Sequence, residues 1–441
     1  MNRQKLEDVA AFVVREAGRL GASDCDIAIG EYESVDTGVR LGEVEQLEGA
    51  QGRDLRFRAF VGQNSATCNT SDFRRRSLTR MVRETVAMAR ASQPDPFAGL
   101  PDRELFVDGK SLPDLGLADS SLTGLSVDRK IELAREAEAV ARAADSRITN
   151  SRGGGFSDRR GVTVYANSHG FLGSYEGTSC SLHATVIASA DGRMHVGGWG
   201  SSSRTLAGLE APTSVGKTAA EHALRQLGAR KVASQAVPVV FDQQMASRLL
   251  AQFASAASGA AIYRKASFLL GKLGQLVAAK GVNIVDDGRL PGALGSRPFD
   301  SEGLPTSRRS IITDGVLKQY FLDSYAARKL GTKPNGGGAT NLFMEPGTAT
   351  PEEIIASVAN GLYLTSVSGP GFNAVTGDYS LGASGIWIDN GRLAYPVEEI
   401  TVASNVLEMF ASIEAIGNDL VFRSSVNAPT IRIAKMTVAG S

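Results

Sequence analysis

The order of predicted elements in the first half of the chain is the feature that most limits how it can fold. Apolar residues at helical spacing predict helices over Lys5–Leu20 and Arg74–Ala91, and the segments between them alternate between apolar and polar residues. The same order returns between predicted helices at Asp128–Ala144 and Ser214–Leu227. Alternating segments of this kind are typical of antiparallel strands with one face in water. The sequence therefore predicts a helix–strands–helix block that occurs twice, which suggests an ancient duplication.

From residue 236 onwards the chain is rich in glycine and in hairpin signals. Val237–Phe241 has the pattern of a short buried strand. Three dipeptides favour two-residue hairpin turns, namely Asp287-Gly288, Asp314-Gly315 and Asn390-Gly391. The clearest further strands are Ser310–Phe321, Ser384–Ile388 and Ile431–Thr437.

Hairpins outnumber strand–helix alternations, so the predicted fold class is α+β. It has two helix–antiparallel-strands–helix N-terminal blocks followed by a large β-rich C-terminal domain. We place the boundaries at residues 1–107, 108–235 and 236–441, and the second block opens with a turn-rich linker over Asp108–Thr123.

Charge and cysteine content limit the possible partners. Acidic and basic residues number 47 each, so the surface offers no long-range attraction for nucleic acid or an anionic membrane. The best basic cluster, Arg74–Arg76 with Arg80 and Arg83, is more simply the solvated face of a helix. Three scattered cysteines fit a reducing compartment. Neither a signal peptide nor an apolar run of the ~20 residues that a membrane span needs is predicted. We therefore expect a cytoplasmic protein with no membrane or nucleic-acid partner.

Metal-ligating residues are few. His183 and His195 lie on neighbouring predicted strands and could form a paired metal site with Cys180 as a third ligand. Ordinary strand histidines are the simpler interpretation. A nucleophilic triad is harder to build, because no GxSxG motif occurs and no histidine follows His222 to serve as its base.

One segment satisfies a relaxed phosphate-loop pattern, Ala211–Thr218 (APTSVGKT). A phosphate loop needs a buried strand before it and free backbone N–H groups to wrap the phosphate. The preceding residues are polar, Pro212 lacks an N–H, and Ser214 makes a better helix N-cap than a phosphate ligand. A helix start is therefore the favoured interpretation.

Carboxylates cluster in the third region and could bind a divalent cation or act in acid–base catalysis. Each one adjoins a glycine or another turn residue, where aspartate is expected for local backbone hydrogen bonds, and this second interpretation is favoured. The residues are Asp286, Asp287, Asp300, Glu302 and Asp378.

Several long, ordered motifs in the third region resemble the PmbA/TldE family. They comprise SFLLGKLGQ (Ser267–Gln275), the Asp286-Asp287-Gly288 turn, Pro298–Gly331, TGDYSLGASGIWIDNG (Thr376–Gly391), YPVEEITVASN (Tyr395–Asn405) and IGNDL (Ile416–Leu420). The first two blocks match the layout of that family, so the resemblance extends over essentially the whole chain.

The resemblance implies a partnership. Members of this family pair with the related TldD protein in a heterodimeric zinc peptidase that cleaves unfolded or flexible peptides, including leader peptides of modified peptide antibiotics. An older family label, modulator of DNA gyrase, reflects genetic links. In the TldD branch, a helix after the first strand of the third region carries HExxxH, with two histidine zinc ligands and a glutamate base.

The corresponding helix here reads LLAQFASAASG (Leu249–Gly259). The resemblance places Ala251 and Ala256 at the histidine positions and Gln252 at the glutamate, and neither residue type can replace the original chemistry. A five-residue step turns ~140° on an ideal helix, so the register could shift by one. The conclusion is unaffected, because no His, Cys, Asp or Glu occurs from Gln243 to Lys265. The TldD branch also uses a cysteine in the stretch resembling Gly371–Leu381, and no cysteine follows Cys180.

We therefore predict a non-catalytic, TldE-like subunit with no catalytic residue and no cofactor of its own, zinc being expected in a TldD-like partner. Glycine-containing loops could help to hold an unfolded peptide, through Gly337, Gly338, Asn373, Gly377 and Asp378. One alternative is a stand-alone homodimeric binding or scaffold protein linked to DNA gyrase modulation. The other is an enzyme with a metal-free mechanism, and the lack of a histidine base in the third region argues against it.

Overall fold

The N-terminal half of the chain forms one large antiparallel sheet covered by helices on a single face. This computed structural model describes residues 2–440. The strands of this half are β1 (Asp24–Arg40), β2 (Glu43–Val61), β3 (Asn64–Thr70), β4 (Ile148–Asn167), β5 (Leu172–Ala190) and β6 (Arg193–Ser203). Its helices are α1 (Arg3–Arg19), α2 (Arg75–Ala91), α3 (Ser120–Thr123), α4 (Val127–Ala143) and α5 (Pro212–Leu224).

The two predicted blocks share this sheet, whose strand order is β3-β2-β1-β4-β5-β6. β1 and β4 pair antiparallel from Asp26↔Asn167 to Val39↔Gly154 and so join the halves along their inner strands. The helices α1 and α2 bury the apolar side of the first half, and α4 and α5 bury that of the second. The repeated order of elements is therefore visible as two similar halves of one six-stranded sheet.

The predicted helices agree with the observed ones to within a few residues, whereas the strands are longer than predicted. The alternation of apolar and polar residues predicts two separate strands at Gly170–Glu176 and Ser181–Ser189, but both fall almost entirely within the single strand β5. The helix expected to begin at Ser214 starts instead at Pro212, with Ala211 as its N-cap. Proline suits the first helical position, because its missing N–H would have no partner there. The prediction that Ser214 is the N-cap is wrong for this reason.

The C-terminal half combines a closed ring of strands with a smaller sheet. Its strands are β7 (Gln235–Phe241), β8 (Ile284–Asp287), β9 (Arg308–Thr313), β10 (Val316–Leu317), β11 (Leu342–Met344), β12 (Asn360–Ser368), β13 (Asp378–Asp389), β14 (Arg392–Asn405), β15 (Ile413–Ile416), β16 (Val426–Asn427) and β17 (Ile431–Ala439). Its helices are α6 (Gln243–Ala256), α7 (Gly259–Tyr263), α8 (Ser324–Lys329), α9 (Pro351–Ala356) and α10 (Val406–Ala411).

The ring forms because a six-stranded sheet, β14-β13-β12-β7-β17-β15, also pairs β14 with β17. The smaller sheet has the order β10-β9-β8-β11-β16. Helix α6 contacts β7 and β12 of the ring and β11 and β16 of the smaller sheet, so it lies between them. The α+β class and the β-rich C-terminal half are as predicted from the sequence.

Two of the three predicted hairpins are confirmed. Asp314 and Gly315 join β9 to β10, and Asn390 and Gly391 join β13 to β14, all four with positive φ as the turn requires. The predicted hairpin at Asp287-Gly288 is wrong, because the chain leaves β8 into a long loop before β9 begins. The Asp287 carboxylate instead accepts a hydrogen bond from the backbone N–H of Arg289.

An aromatic cluster connects the two halves of the molecule. Tyr165 of β4 and Phe171 of the turn between β4 and β5 pack against Phe299 of the C-terminal half, and Phe106, just before the linker, packs against Phe171. The cluster lies on the face of the sheet that carries no helix. Part of that face is thereby closed by the C-terminal half.

None of the helices in residues 2–440 has the length and apolar character needed to cross a membrane.

Candidate functional site

Helix α6, where the resemblance places the degenerate zinc motif, is held by apolar packing. Asp242 caps its first turn by accepting from the N–H of Met245 at 2.8 Å. Leu249, Leu250 and Phe253 are buried in the core between the ring and the smaller sheet. The spacing of these residues, at i, i+1 and i+4, gives the helix one apolar face.

The three positions matched to the zinc motif do not converge on one point. Ala251 is exposed, while Ala256 is fully buried and its carbonyl accepts from the Ser267 hydroxyl at 2.6 Å. Gln252 is partly buried, and its Oε1 atom has no hydrogen-bond partner within residues 2–440. Alanine supplies no donor atom to a metal, so the residues present on α6 do not fit a zinc ion.

The rest of the described chain also lacks a recognisable metal site. Across the chain from residue 2 to 440, no group of three or more His, Cys, Asp or Glu side chains has an arrangement suited to a metal ion. The pair His183 and His195 illustrates this, because His183 pairs with Gly200 and His195 pairs with Ala188. The two histidines are therefore separated by five register steps, ~17 Å along the strands. The interpretation of these residues with Cys180 as a paired metal site is wrong.

The first glycine loop predicted to shape a peptide groove is held by a buried arginine. The guanidinium of Arg309 bonds to Asp286 at 2.9 Å and donates to the carbonyl oxygens of Asn335 and Gly338. Asp286 also accepts from the N–H of Thr340 at 2.6 Å. This loop is thus fixed by a buried ion pair, and Gly337, with φ 63°, makes its turn.

The second predicted loop closes on itself. The N–H of Asn373 donates to the carbonyl of Asp378 at 2.9 Å, and the N–H of Gly377 donates to that of Asn373 at 2.8 Å. The Asp378 carboxylate accepts from Thr376 at 2.6 Å. Through Phe372 the loop packs against Phe268, which in turn contacts Phe253 of α6.

These two loops are bonded to different parts of the C-terminal half. The loop with Gly337 and Gly338 is bonded to the smaller sheet, and the loop with Asn373, Gly377 and Asp378 is bonded to the ends of β13 and β14. A groove formed jointly by them stays a prediction.

Four exposed apolar side chains lie on two segments that meet beside Phe268, which packs against Phe253 of α6. The leucine surface, as we call it, consists of Leu270, Leu273, Leu276 and Val375, which are 44%, 52%, 59% and 53% exposed. The N–H of Phe268 donates to the carbonyl of Ala374 and ties together the two segments that carry it. Sequence reasoning did not single out this surface. Its signal was a leucine at every third position, from Leu270 to Leu276, in a segment with no helical pattern.

The clustered carboxylates Asp300 and Glu302 accept hydrogen bonds from backbone N–H groups. Asp300 accepts from the N–H groups of Glu302 and Leu304, and Glu302 accepts from the N–H of Ser324 at the start of α8. Burial raises the pKa of Asp300 and of Glu302, and the neighbouring Asp300 charge raises that of Glu302 further. Local hydrogen bonding, the interpretation favoured from sequence, is thus observed here.

The other sequence candidates also have structural roles. In APTSVGKT, Gly216 lets α5 approach α4, since a Cβ there would lie 2.5 Å from the Ala137 carbonyl oxygen. The arginines at the start of α2 are solvent-facing; Arg74 pairs with Asp72 at 2.6 Å, and the guanidinium of Arg75 stacks on Phe12.

Three models of known domains match the chain in succession. They are the PmbA/TldA metallopeptidase domain 1 at residues 25–89, the central domain at 120–227 and the C-terminal domain at 234–440. Together they span most of both halves of the molecule.

Relatives of known name match the chain at full or partial length. Metalloprotease PmbA of Escherichia coli O157:H7 is 36% identical over 441 residues, covering 99% of this chain and 97% of its own. A TldD homologue of Haemophilus influenzae, also named a metalloprotease, is 26% identical and covers 74% of each chain.

Solved structures share the complete fold. A Bacteroides thetaiotaomicron protein named as a modulator of DNA gyrase superposes with a TM-score of 0.95 at 30% identity, covering 100% of both chains. TldE of Thermococcus kodakarensis superposes with a TM-score of 0.87 at 19% identity, covering 98% of this chain and 100% of its own. At that identity, the second match bears on the fold alone.

Proposed function

The chain belongs to the PmbA/TldA metallopeptidase family, and from this premise we propose that it is the non-catalytic, TldE-like subunit of a zinc peptidase. A TldD-like partner supplies the zinc ion and the general base. The assembled enzyme cleaves unfolded or flexible peptides in the cytoplasm. This chain completes the enclosure and helps to hold the substrate.

Helix α6 is the observation that supports this proposal most directly. A catalytic zinc site needs three protein ligands and an open position for water. Over its whole length α6 has no His, Cys, Asp or Glu, and one of its three motif positions, Ala256, is buried in a core of leucine and phenylalanine. A member of a metallopeptidase family with such a helix depends on another chain for the reaction.

The leucine surface gives the partner a place to bind. Monomeric proteins rarely expose contiguous apolar side chains without a function, and subunit interfaces bury them. Leu273 and Leu276 are more than half exposed and follow Phe268, which contacts α6. A TldD-like subunit bound here would lie next to the helix that lacks the motif.

The test is to purify this chain and the TldD-like protein of the same organism separately and together. We expect a stable complex on size-exclusion chromatography, and cleavage of an unfolded casein peptide only by the complex. A chelator should abolish the cleavage, and added zinc should restore it. As the control, the partner's motif glutamate is replaced by glutamine, which should leave the complex intact and inactive.

Chelator-resistant cleavage by this chain alone would overturn the proposal. A stable homodimer that ignores the TldD-like protein would overturn it as well, in favour of a stand-alone binding protein.

A further inference from the structure

A trough of about 450 Å³ lies on the helix-free face of the N-terminal sheet, away from α6. Residues of β1, β2, β4 and β5 line it. Tyr175 and Arg204 belong to its lining and connect it to the C-terminal half, since Tyr175 packs against Phe299 and Arg204 donates to the carbonyl of Ala293. The remainder is open to solvent.

Glycine lines the floor of the trough. Tyr32 on β1 pairs with Gly161 on β4, which pairs in turn with Gly177 on β5. Gly30, two residues before Tyr32, also belongs to the floor. Glycine in the interior of a strand weakens a sheet, and it often marks a place where a ligand or another backbone approaches closely.

Two side chains of opposite charge, Arg159 and Asp54, lie beside this floor, and neither has an ion-pair partner in the described chain. The guanidinium carbon of Arg159 lies 3.7 Å from the centre of the Tyr32 ring, and within residues 2–440 this arginine has no carboxylate or hydrogen-bond partner. The Asp54 side chain lies above Gly30, with its Oδ1 2.9 Å from where a Cβ on residue 30 would be. Asp54 also lacks a hydrogen-bond or ion-pair partner in the described chain.

The second arginine of the trough, Arg204, already has hydrogen-bond partners within the chain. Arg204 donates to the carbonyl oxygens of Thr178, Ala293, Leu294 and Ser296, and so ties the N-terminal sheet to the C-terminal half. Arg159 and Asp54 have no such partners in the described chain and remain available to charged groups of a ligand.

The chemistry of the lining selects among ligand classes. A simple anion such as phosphate would be attracted by Arg159 but repelled by the Asp54 carboxylate. A simple cation would be attracted by Asp54 but repelled by Arg159. An extended peptide carries N–H donors and carbonyl acceptors in alternation and has a slim backbone that fits over glycine. Tyr32 and Tyr175 can contact its side chains.

We propose that this trough binds a short extended segment of the peptide substrate. The Arg159 guanidinium donates hydrogen bonds to a carbonyl or carboxylate of the peptide, and the Asp54 carboxylate accepts one from an N–H or a basic side chain. The main-chain groups of the floor already pair within the sheet, so recognition comes from side chains and from the shape of the floor. This inference rests on the proposed function and moves the peptide contact from the two glycine loops to the N-terminal sheet.

Two trough variants and two matched controls test the inference. Gly161→Leu fills the floor; the nearest atom to its Cβ is the Glu31 carbonyl oxygen at 3.2 Å, which requires only a small adjustment. Gly49→Leu is its control, on β2 with nothing within 4 Å of the new Cβ. Arg159→Ala removes the unpaired cation, and Arg152→Ala removes an exposed arginine from the same strand.

Binding of a fluorescein-labelled unfolded casein peptide to the isolated chain is measured by anisotropy, with circular dichroism to verify folding. We expect Gly161→Leu and Arg159→Ala to raise the Kd about tenfold or more, equivalent to at least about 1.4 kcal/mol. Gly49→Leu and Arg152→Ala should bind like the wild type. In the complex with the TldD-like protein, the two trough variants should raise KM with little change in kcat.

Unchanged Kd and KM in both trough variants would overturn the inference, as would a wild-type chain that does not bind the peptide. If the complex nevertheless cleaves peptide in a chelator-sensitive way, the proposed function stands without the trough. If the complex does not cleave peptide, the proposed function fails, and the anisotropy measurement still decides whether the trough binds peptide.

Discussion

Helix α6 and the trough of the N-terminal sheet occupy different halves of the molecule and differ in almost every physical respect. Around α6, the two histidine positions of the motif hold alanine, the core is apolar, and the neighbouring exposed side chains are leucine and valine. The trough instead has a glycine floor with an unpaired arginine and an unpaired aspartate above it. Apolar surface suits a permanent partner, whereas unpaired polar groups suit a ligand that enters and leaves.

The largest expected effect tests whether α6 is purely a packing element. Ala256→His would force an imidazole into a filled core, and we expect the free energy of unfolding to fall by about 3 kcal/mol. Ala251→His, the matched control on the exposed side of the same helix, should change it by less than about 0.5 kcal/mol. Urea denaturation of both variants measures the difference. Equal effects would mean that the two positions do not face opposite environments.

The next effect concerns the leucine surface. Leu273→Glu places a charge where the partner is expected to bury an apolar side chain, and should weaken the complex with the TldD-like protein ten- to a hundredfold, or about 1.4–2.7 kcal/mol. Met194→Glu is the control, because Met194 is 73% exposed on the distant hairpin between β5 and β6. Surface plasmon resonance gives both affinities. Similar losses in the two variants would show that charge alone, and not this surface, governs association.

The smallest effect concerns the residue that caps α6. Burial raises the pKa of Asp242 to about 6, so the folded state favours the protonated carboxyl. The stabilisation that this provides is complete below the unfolded pKa and is lost as pH rises through about 6. We therefore expect the wild type to lose about 1–2 kcal/mol between pH 4 and pH 7 relative to Asp242→Asn, which caps the helix without ionising. Denaturant titrations across this range test it, and parallel pH profiles would contradict it.

The sequence predicted the helices well because each has a strong apolar stripe, as in α2 and α4. It underestimated the strands, since the β1–β2 hairpin extends beyond the core and outer residues such as Glu48–Gln51 are exposed on both faces and do not alternate between apolar and polar. Nor could it indicate that β1 pairs with β4, because only the folded chain brings these distant segments together. The hairpin predicted at Asp287-Gly288 failed because the dipeptide specifies a local turn and not the distance to the next strand.

The candidate site was predictable only where residues adjoin in sequence. The motif positions on α6 could be identified from one short stretch of sequence, Leu249–Gly259. Tyr32, Asp54 and Arg159, in contrast, come from three strands, and their proximity depends on strand register. The only local signal was glycine within strand patterns, at Gly30 and Gly161.

The pairing of β1 with β4 has a consequence for biosynthesis. At a translation rate of about 5–20 residues per second, the ribosome needs roughly 6–25 s to make the chain between the end of β1 and the end of β4. During that interval the inner edge of β1 has no strand beside it, and its main-chain N–H and C=O groups can pair with any extended chain nearby. During synthesis the first half of the sheet therefore exposes an edge that a chaperone can protect, until the second half emerges and covers it.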